Sequence, residues 1–175
     1  AVDLGIGDER TLKNTVEKYS RNGYYDTGIF GTDILTKILF KNGYAQTAVS
    51  LLTSEKDISF YSQMKGGATT LKEYWNGVRS QCHPMFGAVT RYLYEYILGI
   101  RQAANSVAYE NVIIEPVCRD VIKTAKGGIT TVKGRISVEY SESCIKVEIP
   151  DGVNTVLRSD GKEIRLNTGI TTIVY

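Results

Sequence analysis

A short polar stretch near the middle of the chain holds the residue types that sugar chemistry uses. It reads Gly66-Gly67-Ala68-Thr69-Thr70-Leu71-Lys72-Glu73-Tyr74-Trp75, and the only histidine of the chain, His83, follows it. Carboxylates act as acids and bases at glycosidic bonds and bind hydroxyl groups, whereas aromatic rings cover the apolar faces of pyranosides. Glu73, Trp75 and His83 are therefore the candidate site residues, and their ligand would be a carbohydrate.

The same residues also have structural explanations. Thr70-Leu71-Lys72-Glu73 fits a capping box, in which Glu73 reaches back to the start of a short helix over residues 70–75. A lone histidine is commonly a structural hydrogen-bonding residue, and a tryptophan is commonly part of a core. The two roles of Glu73 are compatible, because a helix dipole keeps a first-turn carboxylate ionised and a general base must be ionised.

Composition and charge exclude other classes of function. Lys and Arg total 21 against 19 Asp and Glu, so the net charge is only +2, whereas a nucleic-acid binder would show a clustered basic surplus. No apolar run approaches the roughly 20 residues that span a bilayer. With one histidine and three scattered cysteines, no zinc site is expected, and no other cofactor is indicated. We therefore expect neither a nucleic-acid nor a membrane partner.

The spacing of apolar residues predicts helices in the part of the chain that precedes residues 66–83. A first helix stops at Asn22-Gly23, and a second is predicted to start with Thr32 as its N-cap and Asp33 in its first turn. Asn42-Gly43 ends the second helix, because glycine suits the left-handed position there. The apolar face of that helix consists of Ile34, Leu35, Ile38 and Leu39. The segment at residues 54–86 is a long polar connection, and such connections are often functional.

An amphipathic helix is predicted next, and the periodicity then changes. The helix carries Val89, Tyr92, Leu93, Tyr96 and Ile97 on one face. Beyond Asn105, Ile136 to Tyr140 and Ile145 to Ile149 alternate with polar residues, as strands do. The turn signals are Ser141-Glu142-Ser143, Pro150-Asp151-Gly152 and Asp160-Gly161. This pattern predicts an α+β chain with a helical domain at residues 1–105 and an antiparallel β-sandwich at residues 106–175.

Several ordered motifs resemble those of the bacterial α-L-rhamnosidases. The matching stretches are Asp26 to Thr32, the Asn42-Gly43 turn, Leu51-Leu52, Gly67 to Trp75, Cys82 to Gly87, Gly99-Ile100, and more loosely Ile113 to Pro116 and Gly134 to Val138. The resemblance implies the last helices of an (α/α)6 toroid of six hairpins, followed by a small C-terminal β-sandwich. Two family residues differ, since Lys72 stands for a tryptophan and Cys82 for an asparagine. Lys72 would remove an aromatic wall and would favour the ionised form of Glu73.

The resemblance also implies a mechanism for hydrolysis of terminal α-L-rhamnosides with inversion. Glu73 would be the general base that deprotonates the attacking water, His83 would contact the sugar, and Trp75 would give aromatic support. The general acid of the family lies upstream, in a cluster that nothing in this sequence matches. We therefore expect the chain to be the C-terminal part of a glycosidase, to need the missing N-terminal toroid of the same protein, and to be inactive alone.

Two other functions compete with this one. The chain could be a non-catalytic carbohydrate-binding or structural module that keeps the end of the toroid. Alternatively, it could be a protein-interaction module. An open helical face such as Ile34, Leu35, Ile38 and Leu39 would then expose apolar side chains and drive homodimer formation.

Overall fold

The computed structural model describes residues 1–159 and 161–175 and divides the chain into two compact units, residues 1–90 and residues 91–175. Each unit is described by itself. The boundary predicted between residues 105 and 106 stays a prediction. The predicted Asp160-Gly161 turn depends on Asp160, which lies outside the described residues.

Helices make up most of the regular structure of the first unit. A 3-10 turn (Val2–Leu4) precedes α1 (Glu9–Asn22), α2 (Ile29–Lys41), α3 (Ala45–Leu52) and α4 (Phe60–Lys65). The Asp8 side chain accepts the Thr11 N–H at the start of α1, which satisfies one otherwise unpaired amide. The predicted stops are confirmed: Gly23 ends α1 at φ 67°, and α2 ends just before Asn42-Gly43.

Two predictions about α2 are wrong. The helix begins four residues before Asp33, because Gly28 adopts the extended N-cap conformation and leaves Thr32 inside the first turns. The apolar face predicted to be open is mostly covered, since Leu35, Ile38 and Leu39 are at most 8% exposed. Only Ile34 of that face, 40% exposed, remains accessible. The helix is buried on this side because it packs within its own unit.

The long segment at residues 54–86 and the region after it also differ from prediction. The segment contains α4, but no helix forms at residues 70–75. The amphipathic helix predicted around Tyr92 is instead a 3-10 helix (Pro84–Val89), a single α-helical turn, α5 (Thr90–Tyr92), and a π-helical turn (Leu93–Ile97). The apolar spacing correctly predicts helical structure, but spacing alone does not distinguish the 3-10, α and π windings.

The described residues of the second unit form two sheets of four strands. The strands are β1 (Ile100–Gln102), β2 (Asn111–Ile114), β3 (Ala125–Thr131), β4 (Gly134–Tyr140), β5 (Cys144–Ile149), β6 (Asn154–Ser159), β7 (Lys162–Leu166) and β8 (Gly169–Val174). One sheet has the order β1-β2-β6-β7 and the other β3-β4-β5-β8. All described pairs are antiparallel except β2 with β6, which is parallel.

One apolar core joins the two sheets of this unit. Ile114 and Leu157 from the first sheet, and Val138 and Ile145 from the second, are fully buried in the same cluster. Alternate residues of β4 and β5 face this core, as period 2 predicted. The β-sandwich is therefore confirmed. No helix among the described residues has the length and apolar character needed to cross a membrane.

Candidate active site

The loop that carries Glu73 folds back on itself as an irregular hairpin. The Glu73 N–H donates to the Ser80 carbonyl at 3.0 Å, and the His83 N–H donates to the Leu71 carbonyl at 2.7 Å. A turn joins the two arms at Gly77, whose φ of 75° is a left-handed conformation that favours glycine. Glu73 and His83, two of the three predicted site residues, therefore lie on opposite arms of one hairpin.

This hairpin contradicts the capping-box explanation of Glu73. The Thr70 hydroxyl donates to the Gln81 carbonyl, so it caps no helix. The Glu73 carboxylate accepts the Ser80 N–H at 3.4 Å, on the facing arm. The backbone groups of the segment pair across the hairpin and cannot also make helical hydrogen bonds. A helix start therefore no longer accounts for a carboxylate at this position.

Lys72 packs against the turn of the hairpin. A Cβ atom added to Gly77 would lie 3.1 Å from the Lys72 Nζ, so the lysine side chain extends over the turn of the hairpin. Among residues 1–159 and 161–175, no ion pair joins Lys72 to Glu73. The half-buried Glu73 carboxylate thus has Ser80 as its described hydrogen-bonding partner.

His83 is held by its backbone and keeps one ring nitrogen unpaired. It is half-buried and precedes Pro84 at the start of the 3-10 helix. Its Nε2 atom is buried and has no hydrogen-bond partner within the described part of the chain. Leaving such an atom unpaired costs about 1–3 kcal/mol. A ligand hydroxyl or a water molecule at Nε2 would remove that cost, so this nitrogen is suited to bind one.

Trp75 belongs to an aromatic cluster. Its ring stacks on Tyr25 with a centroid distance of 6.0 Å, meets Phe60 edge-on at 5.1 Å and lies 4.0 Å from Phe86. Its indole N–H donates to the Thr27 carbonyl at 2.7 Å. The structure therefore gives Trp75 a packing role, and a contact between Trp75 and a sugar stays a prediction.

Gln63 is a residue near the site that the sequence did not reveal. It lies on α4 and is only 4% exposed. Its side-chain Oε1 accepts the Lys72 N–H at 3.3 Å, and its backbone carbonyl accepts the Ala68 N–H at 3.1 Å. The sequence gives no signal for this role, because Gln63 lies among other polar residues and nothing in its neighbourhood indicates a partner nine residues away.

The loop before α2 carries an ionised carboxylate with its own partners. Asp26 accepts a hydrogen bond from the Tyr19 hydroxyl and pairs with Lys18. Partial burial acts to raise the pKa of Asp26, but the hydrogen bonds from Lys18 and Tyr19 and the charge of Lys18 together lower it. Burial, followed by the hydrogen bond to Asp26, raises the pKa of Tyr19. Asp26 is therefore a structural anion.

Metal chemistry finds no support in the arrangement of the described side chains. Within them, no group of three or more His, Cys, Asp or Glu residues is placed to hold an ion.

Comparison with known proteins gives the family. The model of the bacterial alpha-L-rhamnosidase 6 hairpin glycosidase domain matches residues 4–97, which contain the whole hairpin. This chain belongs to the bacterial α-L-rhamnosidase six-hairpin glycosidase family. The predicted family is confirmed, and the chain has the family's glycoside hydrolase fold.

Curated relatives of this rhamnosidase-family chain are much longer than it is. An alpha-L-rhamnosidase of Alteromonas sp. (strain LOR) is 29% identical over 133 residues, covering 70% of this chain and 14% of the relative. An alpha-L-rhamnosidase of Formosa agariphila is 28% identical over 167 residues, covering 86% of this chain and 18% of the relative. The chain thus spans less than a fifth of the length of these relatives.

Solved structures show the same fold across both units. The α-L-rhamnosidase from Dictyoglumus thermophilum has a TM-score of 0.81 at 21% identity, over 98% of this chain and 24% of that one. The enzyme from Aspergillus terreus has a TM-score of 0.83 at 21% identity, over 97% and 22%. The Streptomyces avermitilis enzyme, solved with L-rhamnose, has a TM-score of 0.77 at 19% identity, over 89% and 18%. The α+β prediction, toroid helices followed by a β-sandwich, is confirmed.

Proposed function

We propose that this chain supplies the general-base side of the active site of an inverting α-L-rhamnosidase. Glu73 is the base, and His83 contacts the sugar. One observation carries the proposal: Glu73 lies on a non-helical hairpin, inside the matched glycosidase domain, with the unpaired Nε2 of His83 on the facing arm. The names of the curated relatives support α-L-rhamnosides as substrates.

The chemistry assigned to Glu73 is removal of a proton from water. The water oxygen then attacks the anomeric carbon as the glycosidic bond breaks, and a separate acid gives its proton to the leaving oxygen. In inverting enzymes the two carboxyl groups stand about 6.5–9.5 Å apart, which leaves room for this water. The Ser80 N–H donates to one oxygen of Glu73, and the other oxygen would accept the water proton.

A proton donor is the group that we propose this chain lacks. Asp26 is in the same unit, but its lowered pKa keeps it ionised at neutral pH, whereas a general acid must carry a proton. We therefore propose that the 175-residue chain alone does not hydrolyse glycosides. Measurable release of the aryl alcohol from an aryl α-L-rhamnoside by the purified chain, unchanged by Glu73→Gln, would contradict both parts of this proposal.

The missing partner is, in our proposal, the upstream part of the same polypeptide. Leu4, Ile6 and Phe30 are 67–77% exposed, and the Asp3–Lys37 ion pair fixes the first turn of the chain to α2. Upstream toroid helices would cover these apolar side chains. Light scattering of the chain mixed with a separately expressed upstream part should show a 1:1 complex, which Phe30→Glu weakens at least tenfold. A homodimer of the chain alone, abolished by Phe30→Glu, would contradict this and favour the dimer.

The decisive experiment is Glu73→Gln in the full-length protein, which keeps the shape and removes the base. We expect kcat to fall by about 10²–10⁴-fold, the usual contribution of a general base. Glu55→Gln is the matched control, because Glu55 is an exposed glutamate of the same unit. NMR of the first product should show the β-anomer of the free sugar, as inversion requires. A wild-type rate in Glu73→Gln, or an α-anomer as first product, would overturn the proposal.

A further inference from the structure

The buried side chain of Gln63 forms a hydrogen bond with Lys72, the residue that precedes the candidate base Glu73. Its Oε1 accepts the Lys72 N–H, and its backbone carbonyl accepts the Ala68 N–H. One residue of α4 thus holds both ends of the short stretch at residues 68–72. Because Gln63 is only 4% exposed, its own position is fixed by the packing around it.

The orientation of the Gln63 amide follows from this contact. A backbone N–H must face the oxygen, since it would clash electrostatically with the amide N–H2 group. The Nε2 atom therefore points elsewhere, and it is buried without a hydrogen-bond partner in the described part of the chain. Burying an unpaired donor is unfavourable, and an apolar side chain of similar length would avoid it. Packing thus does not explain a glutamine here, whereas the bond from Lys72 does.

The hydrogen bond between Gln63 and Lys72 affects the orientation of the Glu73 carboxylate. On one side of the base, Gln63 fixes the amide of Lys72, and on the other side Ser80 receives the Glu73 N–H and donates to the Glu73 carboxylate. Catalytic groups lose about 10²-fold in rate when they are misplaced by about 1 Å. Freeing the Lys72 amide would remove the restraint on the residue directly before Glu73, leaving the backbone bonds of Leu71 to His83 and of Glu73 to Ser80.

We propose that Gln63 is a positioning residue for Glu73, acting through the backbone of Lys72. This inference rests on the proposed base role of Glu73. Gln63 itself touches no reacting atom.

The test uses the full-length protein with an aryl α-L-rhamnoside, with Gln63→Met as the main variant. Methionine keeps the length of the side chain and removes the acceptor. We expect kcat to fall by about 10–100-fold while KM stays within about twofold, because the Glu73 carboxylate is misaligned and sugar binding is retained. Gln46→Met, an exposed glutamine of α3, is the matched control and should leave both constants unchanged.

A second variant separates positioning from packing. Gln63→Glu keeps an oxygen acceptor for the Lys72 N–H, so it should recover most of the kcat that Gln63→Met loses. Recovery would not follow if residue 63 only filled space, because methionine fills it equally well. If Gln63→Met lowers the melting temperature but leaves kcat at the wild-type value in folded protein, the positioning role is overturned.

A third measurement does not depend on activity. Amide hydrogen exchange of Lys72, followed by NMR in the 175-residue chain, should be at least tenfold faster in Gln63→Met than in the wild type. Equal exchange rates would overturn the proposed contact. Glu73→Gln, measured in parallel, distinguishes the two proposals: an active Glu73→Gln variant refutes the base role, whereas an inactive one combined with a fully active Gln63→Met refutes only the positioning role.

Discussion

The indole N–H of Trp75 donates a 2.7 Å hydrogen bond to the carbonyl of Thr27, 48 residues earlier in the chain. This bond ties the glycine-rich loop before α2 to the loop that carries Glu73. Tyr25, from the loop before α2, and Phe86, from the 3-10 helix that follows the Glu73 loop, both lie against the tryptophan ring. The loop before α2 and the loop that carries Glu73, which are far apart in sequence, are therefore packed together through Trp75.

Replacement of Trp75 by phenylalanine should destabilise the chain. The variant loses the bond to Thr27 and part of the stack on Tyr25, so the free energy of unfolding should fall by about 2–3 kcal/mol. Urea denaturation followed by circular dichroism measures this. The control is Tyr74→Phe, because Tyr74 is 43% exposed, and it should change stability by less than about 0.5 kcal/mol. Equal stability of Trp75→Phe and the wild type would contradict the packing role.

Asp26 makes a pH-dependent prediction. Because its folded-state pKa is lowered, its contribution to stability is present above its unfolded pKa and disappears as pH falls through the folded pKa. Asp26→Asn should therefore cost about 1 kcal/mol at pH 7, from one hydrogen bond and a solvent-screened ion pair. The difference from wild type should shrink as pH falls below the ordinary pKa of an aspartate and should be lost once pH lies below the lowered folded-state pKa. Asp57→Asn, at an exposed aspartate, is the control, and a pH-independent difference for Asp26→Asn would refute the assignment.

Gly99 in the second unit should not tolerate a side chain. Its φ is 76°, and an added Cβ would lie 2.2 Å from the backbone of Glu115 and Pro116, which cannot move aside as a flexible side chain would. Gly169 also has a positive φ, 97°, but an added Cβ there would meet no atom within 4 Å. A substitution at Gly169 therefore measures the cost of the backbone conformation without a clash. We expect Gly169→Ala to cost about 1–2 kcal/mol and Gly99→Ala at least about 3 kcal/mol or loss of the folded sandwich. Similar melting curves for the two variants would contradict the clash.

The three cysteines should react with iodoacetamide in a fixed order at pH 8. Cys82 is exposed and should react first, whereas Cys144 is half-buried. Cys118 is fully buried, and burial raises the pKa of its thiol to about 11, so little thiolate forms and little of it is accessible. Peptide mass mapping against time measures the order. Labelling of Cys118 as fast as Cys82 in folded protein would show that the second unit opens around it.

Local signals in the sequence predicted much of the fold. Asn22-Gly23 and Asn42-Gly43 stop helices because glycine there adopts left-handed backbone angles without strain. The alternation along β4 and β5 gave the faces of both strands, because side chains alternate across any sheet. β1, β3 and β6 were not predicted. β1 lies within the part of the chain predicted to be helical, β3 is rich in glycine, and β6 joins a parallel pair that no local turn signal could indicate.

The candidate site was predicted in its residue types but not in its arrangement. Glu73 and His83 were selected from the sequence, yet the short helix expected beneath Glu73 is a hairpin. The capping-box pattern at residues 70–73 fits both a helix and a hairpin, because the residues that pair with it, Ser80 and His83, lie outside the pattern. Gln63 was missed because a single glutamine on a helix shows nothing of what its amide will contact.

By itself, the sequence determined the family, the α+β class and the polar groups available for chemistry, since these depend on residue identity and on short-range periodicity. The tertiary structure alone decided which groups are already engaged. In the folded chain, the Trp75 indole N–H donates to the Thr27 carbonyl and the Lys72 N–H donates to the Gln63 side chain. The Nε2 of His83 has no partner among the described residues. Such pairings depend on contacts between residues far apart in the chain, and packing sets those contacts only when the whole unit has folded.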